Sequence, residues 1–359
     1  MQRLRRGGSV SRLRTQVGDF ALVNPVICGS GEHVMTAAGI RTALAAGAAG
    51  VIAKSLNESA IAAKQLDIAD YALIRPDNTL AAWGTSEQNL SLFCRSGLAQ
   101  TTAEEWFALL GAVDREAMAT DRFVAASIIP ASLDAAVELA RRAGEAGLRV
   151  LELNIGSPQS LEATPGTILL ESDEARLKHV VGRVRAAFGG RLWVKLPGLG
   201  TNLPELGRAA REAGADAVGM VGRFMAMLPD VETLAPVLST SAGYSGGWAL
   251  PITCRWLAMT RQMAGRETPL IGTNGARSGL DVARFMLAGA SAVELTSVVL
   301  QSGFAALSEI IAELDAYLAR KGLSAAELVG RAADALQTYQ EQMPHPDRWR
   351  DFVPRETLG

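Results

Sequence analysis

The sequence predicts an α/β protein, a (β/α)8 TIM barrel with long excursions over the C-terminal face of its strands. Short apolar, β-branched runs alternate with amphipathic Ala-, Arg- and Glu-rich stretches, and eight such strand–helix pairs can be laid along the chain. The strand runs are continuously apolar rather than alternating, as befits strands covered on both faces. Four helix-to-strand joints share one form: Ala46-Gly47-Ala48, Ala146-Gly147-Leu148, Ala213-Gly214-Ala215 and Ala288-Gly289-Ala290. There a glycine ends the helix in the left-handed conformation and small neighbours let the chain turn tightly.

Taken in order, strands are expected at 25–29, 50–54, 123–128, 150–154, 192–196, 217–221, 270–273 and 292–296, because each is a short apolar run bounded by glycine, polar or charged residues. Helices are expected at 36–46, 103–116, 133–146, 174–188, 203–213, 252–264, 279–288 and 304–321, where apolar residues recur at helical spacing. Two connections, 56–102 and 222–250, are too long for turns. At the strand C-terminal face of a barrel such excursions cover the active site. One domain, 18–336, is expected, with 1–17 a basic, flexible N-terminus and 337–359 a tail packed on the surface through Trp349 and Phe352.

Composition narrows the function. With 35 basic and 37 acidic residues the chain has no charge bias toward nucleic acid or an anionic membrane. No window reaches the roughly 18 apolar residues a membrane-spanning helix needs, so a soluble protein is expected. Cys28, Cys94 and Cys254 are widely separated and form neither a disulfide framework nor a cluster motif, which fits a reducing cytoplasm. Three scattered histidines offer no metal-ligand set, and no metal is expected.

The chemistry is expected at strand ends. Ile271-Gly272-Thr273-Asn274-Gly275-Ala276 closes the seventh strand and Leu295-Thr296-Ser297 the eighth. Loops in those positions form a recurrent phosphate site in barrels, because glycines let backbone N–H groups approach an anion. Lys54 and Lys195 end apolar strands. An ammonium in a barrel mouth needs a counter-charge or an electron-rich ring; a cofactor would supply one, and a structural ion pair with Glu152 or Glu294 is the alternative. The fourth strand runs through Leu151-Glu152-Leu153-Asn154 into Ile155-Gly156-Ser157-Pro158-Gln159, delivering polar groups to the same rim.

These fragments, together with Asn24-Pro25-Val26-Ile27-Cys28-Gly29-Ser30-Gly31, Ile52-Ala53-Lys54-Ser55, Val194-Lys195-Leu196 and Tyr244-Ser245-Gly246-Gly247, resemble in order and spacing the dihydroorotate dehydrogenase family over roughly residues 20–335. The resemblance implies an FMN-dependent oxidoreductase that moves a hydride between a C–C bond and FMN N5. It implies Gly29, Ser30, Lys54, Ser55, Asn154 and Lys195 at the flavin ring and ribityl chain, and Gly246, Gly247, Gly272, Asn274, Gly275, Thr296 and Ser297 at the phosphate end. Lys195 would steady the anion formed on hydride uptake, with Lys54 beside it. Ser157 falls where the family keeps its general base; a capped turn before Pro158 is the structural alternative. Residues 156–167 would then be a water-excluding lid.

Departures from the family pattern point away from dihydroorotate itself. Of four asparagines that the resemblance leads one to expect around a pyrimidine, Asn154 stands; Gln159, Gly222 and Cys94 occupy the others' positions. Each missing buried hydrogen bond costs on the order of 1 kcal/mol. Arg95 and Arg223 either bring positive charge to the mouth, suiting a carboxylate or other anion of a small planar or cyclic compound, or are solvent-exposed or ion-paired loop residues. Trp83 and Trp248 serve either as stacking platforms or as packing under a lid, and Cys94 as a small core residue or a reactive thiol. A separate electron partner and a homodimer are expected by resemblance. Competing readings are a genuine dihydroorotate dehydrogenase, another FMN barrel using His33, and a non-redox barrel (isomerase, lyase or sensor) binding a phosphorylated metabolite.

Overall fold

The computed structural model describes residues 11–155, 173–198 and 200–358. Eight parallel strands close into a barrel in chain order: Val26–Cys28, Gly50–Ile52, Phe123–Ile128, Val150–Asn154, Arg191–Lys195, Ala217–Met220, Leu270–Thr273 and Ala290–Leu295. The last pairs with the first, Val293 opposite Val26 and Leu295 opposite Cys28. Helices Ala37–Ala45, Ala103–Met118, Leu133–Glu145, Glu174–Ala187, Leu203–Glu212, Leu250–Ala264, Gly279–Leu287 and Ala305–Lys321 form the outer ring. The expected elements are all present, with ends shifted by no more than two residues. Gly47, Gly147, Gly214 and Gly289 each adopt positive φ, as the shared joints require.

Two apolar compartments hold the barrel together. The larger lies between strands and helices; the smaller fills the lower barrel with Ile27, Ile52, Phe123, Val150, Trp193 and Ile271. Phe20 closes that lower end, its ring 5.1 Å from Phe123 and 6.4 Å from Trp193. Phe20 belongs to a hairpin in which Thr15–Val17 pairs antiparallel with Phe20–Leu22. This corrects the expectation of a flexible segment through residue 17: Val17 is buried and Thr15 Oγ1 donates to the Ser291 carbonyl at 2.9 Å.

The two long excursions meet. Asp70–Ile74, Leu80–Ala81 and Ser91–Arg95 from the first, and Phe224–Ala226 and Ala242–Ser245 from the second, make one five-stranded antiparallel sheet over the mouth. Gly243 lies opposite Cys94 and Tyr244 opposite Phe93, so the sheet staples the excursions together. The tail differs from expectation: Trp349 is 57% and Phe352 75% exposed, and neither anchors it to the barrel. No described helix is long and apolar enough to cross a membrane.

Candidate active site

A cavity enclosing about 990 Å³, including the solvent at its mouth, opens at the strand C-terminal ends beneath the antiparallel sheet. Ser30, Lys54, Ser55, Cys94, Asn154, Lys195, Arg223, Asn274, Gly275, Thr296 and Ser297 line it, so residues scattered over more than 260 positions are brought to one wall. Gly29, Gly246, Gly247 and Gly272 stand beside lining segments in the chain but do not line the cavity themselves. Ser157 and Gln159, with the expected lid 156–167, lie outside the described residues.

The barrel interior under the cavity carries a charged triad. Lys195 Nζ lies 2.7 Å from Glu152 and 2.6 Å from Glu294, all three side chains being almost fully buried. The ion pair weighed as the alternative role for Lys195 is therefore present with both carboxylates at once. Burial alone would lower the lysine pKa, but the two carboxylates outweigh it and the net shift is upward. Burial pushes the Glu294 carboxyl up to about 8, against the pull of Lys195 and with the push of Glu152. Two carboxylates around one ammonium leave a net negative charge in a dry interior, and a retained proton relieves it. Glu294 Oε1 has no hydrogen-bond partner although buried. From Glu152 a hydroxyl chain leads to the cavity wall: Ser127 Oγ donates to Glu152 at 2.8 Å, Ser55 lies 2.8 Å from Ser127, and Ser30 3.2 Å from Ser55.

Lys54 is also paired. Its ammonium donates to Glu32 Oε1 at 2.9 Å, and Gly97 N–H donates to the same oxygen at 3.3 Å. Burial tends to raise the Glu32 pKa, but Lys54 wins and the carboxyl titrates below the ordinary range. For Lys54 burial prevails over Glu32 and its pKa is lowered. The Tyr71 hydroxyl faces Glu32, and its pKa is raised first by burial and then by that carboxylate. Neither Glu32 nor Tyr71 stands out in the sequence. Glu32 follows the Gly29-Ser30-Gly31 turn directly, and that adjacency is the one signal that could have found it.

Across the mouth, Arg223 Nη1 donates to Ser96 Oγ at 2.7 Å and approaches Cys94 Sγ at 3.9 Å. Gly243 makes room for its stem: a Cβ there would stand 2.8 Å from Arg223 Cδ. Arg95, expected at the same wall, instead points away from the cavity and braces the sheet through the Ile68 and Leu238 carbonyls. Its long side chain alternates to the opposite face from Cys94, as neighbouring strand residues must. Burial raises the Cys94 pKa despite Arg223, so the thiol is an inert wall residue. Trp248 stacks on Tyr244 at 4.8 Å and Trp83 sits edge-on to Tyr71 at 5.9 Å; both serve the sheet and neither lines the cavity. His33 is half-buried, packed against Cys28 and Phe304, with its pKa lowered to about 4, chiefly by desolvation. It does not line the cavity. Among the described residues no group of acidic, His and Cys side chains could hold a metal.

At the seventh strand end, Asn274 has φ +71° and Gly275 φ +128°. A Cβ on Gly275 would meet the Leu250 backbone nitrogen at 2.5 Å, so packing against the start of the preceding helix, Leu250–Ala264, requires glycine there. Asn274 Nδ2 donates to the Gly222 carbonyl at 3.2 Å, while its Oδ1 is buried and unpartnered.

The family model described as Dihydroorotate dehydrogenase matches residues 85–318, more than half of the chain. The chain belongs to the dihydroorotate dehydrogenase family. It is 27% identical over 332 residues to the dihydroorotate dehydrogenase B (NAD(+)) catalytic subunit of Methanocella arvoryzae, covering 89% of this chain and 98% of that one. It is 26% identical over 248 residues to the Escherichia coli NAD-dependent dihydropyrimidine dehydrogenase subunit PreA, covering 66% of this chain and 59% of PreA. Against dihydroorotate dehydrogenase A (fumarate) of Limosilactobacillus reuteri the identity is 30% over 183 residues, or 50% of this chain and 58% of the relative. The chain thus spans nearly the whole of one dihydroorotate dehydrogenase family relative and less than two thirds of the other two. The closed eight-stranded barrel is the fold expected of the family.

Proposed function

We propose that the protein is an FMN-dependent oxidoreductase that exchanges a hydride across a C–C bond of a small planar or cyclic anion. The observation that carries this is the convergence of Ser30, Lys54, Ser55, Asn154, Lys195, Asn274, Thr296 and Ser297 on one cavity at the barrel mouth, in a chain of the dihydroorotate dehydrogenase family. The cavity fits the cofactor that the family implies. Its wall holds two buried acceptors without partners, Asn274 Oδ1 and Glu294 Oε1, which ring or ribityl donors would satisfy.

In this reading Ser30, Lys54, Ser55, Asn154 and Lys195 hold the isoalloxazine and ribityl chain. Main-chain groups around Gly29, Gly246, Gly247, Gly272, Asn274 and Gly275, with Thr296 and Ser297, hold the phosphate end. FMN, when bound, supplies the two-electron acceptor. The protein supplies the rest: Lys195 would set the charge at the flavin, Asn154 and Gln159 would orient the substrate, and Arg223 with Cys94 would form the opposite part of its pocket. Ser157 carries the proton, through a water or hydroxyl relay, since a serine alone is a weak base. A separate protein or small molecule takes the electrons, and the expected assembly is a homodimer in the cytoplasm. Dihydroorotate is the subordinate substrate, because Gln159, Gly222 and Cys94 stand at positions where the family resemblance leads one to expect asparagines.

The test is direct. Protein purified without added cofactor should be yellow with a flavin spectrum, and the flavin should bleach anaerobically with one member of a panel of dihydropyrimidines, cyclic amides and saturated acids. A colourless protein that refuses FMN on reconstitution would leave the phosphometabolite reading in its place. Rapid bleaching by dihydroorotate, lost in Ser157→Ala, would make that compound the substrate.

A further inference from the structure

The charges around the cavity are unevenly paired, and a residue outside the sequence motifs decides which cation is left without a carboxylate. Among the described lining residues the cations are Lys54, Lys195 and Arg223, and the carboxylates are Glu32 and Glu294. Lys195 is held between Glu152 and Glu294. Lys54 is held by Glu32 at 2.9 Å. Arg223 has a hydroxyl and a thiol as side-chain partners, and no described carboxylate lies within ion-pair distance of it. A guanidinium stays charged at any physiological pH. Arg223 is therefore the lining cation without a carboxylate partner among the described residues, on a planar fork suited to a carboxylate.

We propose that Glu32 is a specificity-determining residue: by occupying Lys54 it leaves Arg223 as the anion receptor, so the cavity selects a planar ring bearing one carboxylate. The inference rests on the reading above that the cavity takes a planar substrate beside the cofactor, and adds which charge state it takes. A neutral ring leaves the Arg223 fork with Ser96 alone as its oxygen partner. A second carboxylate must draw Lys54 away from Glu32, removing the counter-charge of a carboxylate that is four-fifths buried and leaving it the Gly97 N–H at 3.3 Å. Rejection of both alternatives thus comes from groups left unpaired, the usual source of sharp discrimination. The relatives' names pose the same distinction, since dihydroorotate carries a ring carboxylate and an unsubstituted dihydropyrimidine does not.

Benzoate, benzamide and isophthalate test the proposal, being planar rings that differ in charge and lack the pyrimidine amides. Each is titrated into the holoenzyme, followed by perturbation of the cofactor absorbance and by calorimetry. Wild type should bind benzoate at least about tenfold more tightly than benzamide, and isophthalate no better than benzoate. Glu32→Gln frees Lys54 and should improve isophthalate relative to benzoate by about tenfold or more. Arg223→Gln should erase the preference for benzoate over benzamide. Equal binding of benzoate and benzamide by wild type, or an unchanged isophthalate ratio in a folded Glu32→Gln protein, overturns the proposal. A flavin-loaded enzyme without charge preference refutes this inference alone. A flavin-free protein that still prefers benzoate by calorimetry refutes the redox reading and leaves this one standing.

Discussion

Replacing Glu294 by glutamine should flatten the dependence of stability on pH. In the native barrel burial holds this carboxyl's pKa at about 8, raised from 4.5. Between those values the folded protein keeps a proton that the unfolded chain releases, so unfolding free energy falls as pH rises. The contribution is fully present below about pH 4.5 and is gone once pH has passed about 8. Every tenfold difference in proton affinity between the folded and unfolded chain is worth about 1.4 kcal/mol, which sets an upper limit of roughly 5 kcal/mol across the window. The Lys195 ammonium at 2.6 Å stabilises the ionised form, and its pull is already contained in the value of about 8. Glutamine keeps the shape and does not titrate. Urea midpoints of wild type and Glu294→Gln, measured from mildly acidic to alkaline pH with unchanged m-value, isolate the effect because all other groups are common to both. The variant should gain on wild type steadily as pH rises. Parallel profiles would show that Glu294 is ionised throughout, and the account of a shared proton in the triad would be wrong.

Lys195→Met should destabilise the protein by about 3–5 kcal/mol, since it strands two buried carboxylates, and adding Glu294→Gln should recover part of that loss in denaturant titrations. Gly50→Ala should cost about 1–3 kcal/mol, read as a lower thermal midpoint, because its Cβ would lie 2.1 Å from the ring of fully buried Phe123. Gly275→Ala should lower both the thermal midpoint and FMN retention after gel filtration, because left-handed backbone and the Leu250 amide leave no room for a methyl.

Much of the molecule was legible in the sequence. Eight apolar runs separated by amphipathic helices admit few arrangements besides a closed parallel barrel, and the small-residue–glycine joints gave four of the helix-to-strand boundaries. Lys54, Lys195, Asn154, Asn274, Thr296 and Ser297 were legible for the same reason: a polar residue ending a buried strand has the barrel mouth to face. Arg95 was misplaced because its face depends on the register of Ser91–Arg95 against Ala242–Ser245, a pairing between segments about 150 residues apart. The C-terminal anchors failed similarly, since aromatic residues in a polar tail carry no information about what surface lies beneath them. The Thr15–Val17 strand was hidden by its length, three residues that bury apolar surface only once the barrel floor exists.

By itself the sequence determined the barrel, its strand order and the set of polar side chains delivered to one rim, because periodicity and turn chemistry are local properties of the chain. Charge compensation was decided by tertiary structure alone. Lys54 meets Glu32, Lys195 meets two carboxylates, and Arg223 meets none among the described residues. Those partnerships join strands and excursions far apart in the chain, and an ammonium and a carboxylate offset each other only within a few ångströms, a separation that barrel closure sets.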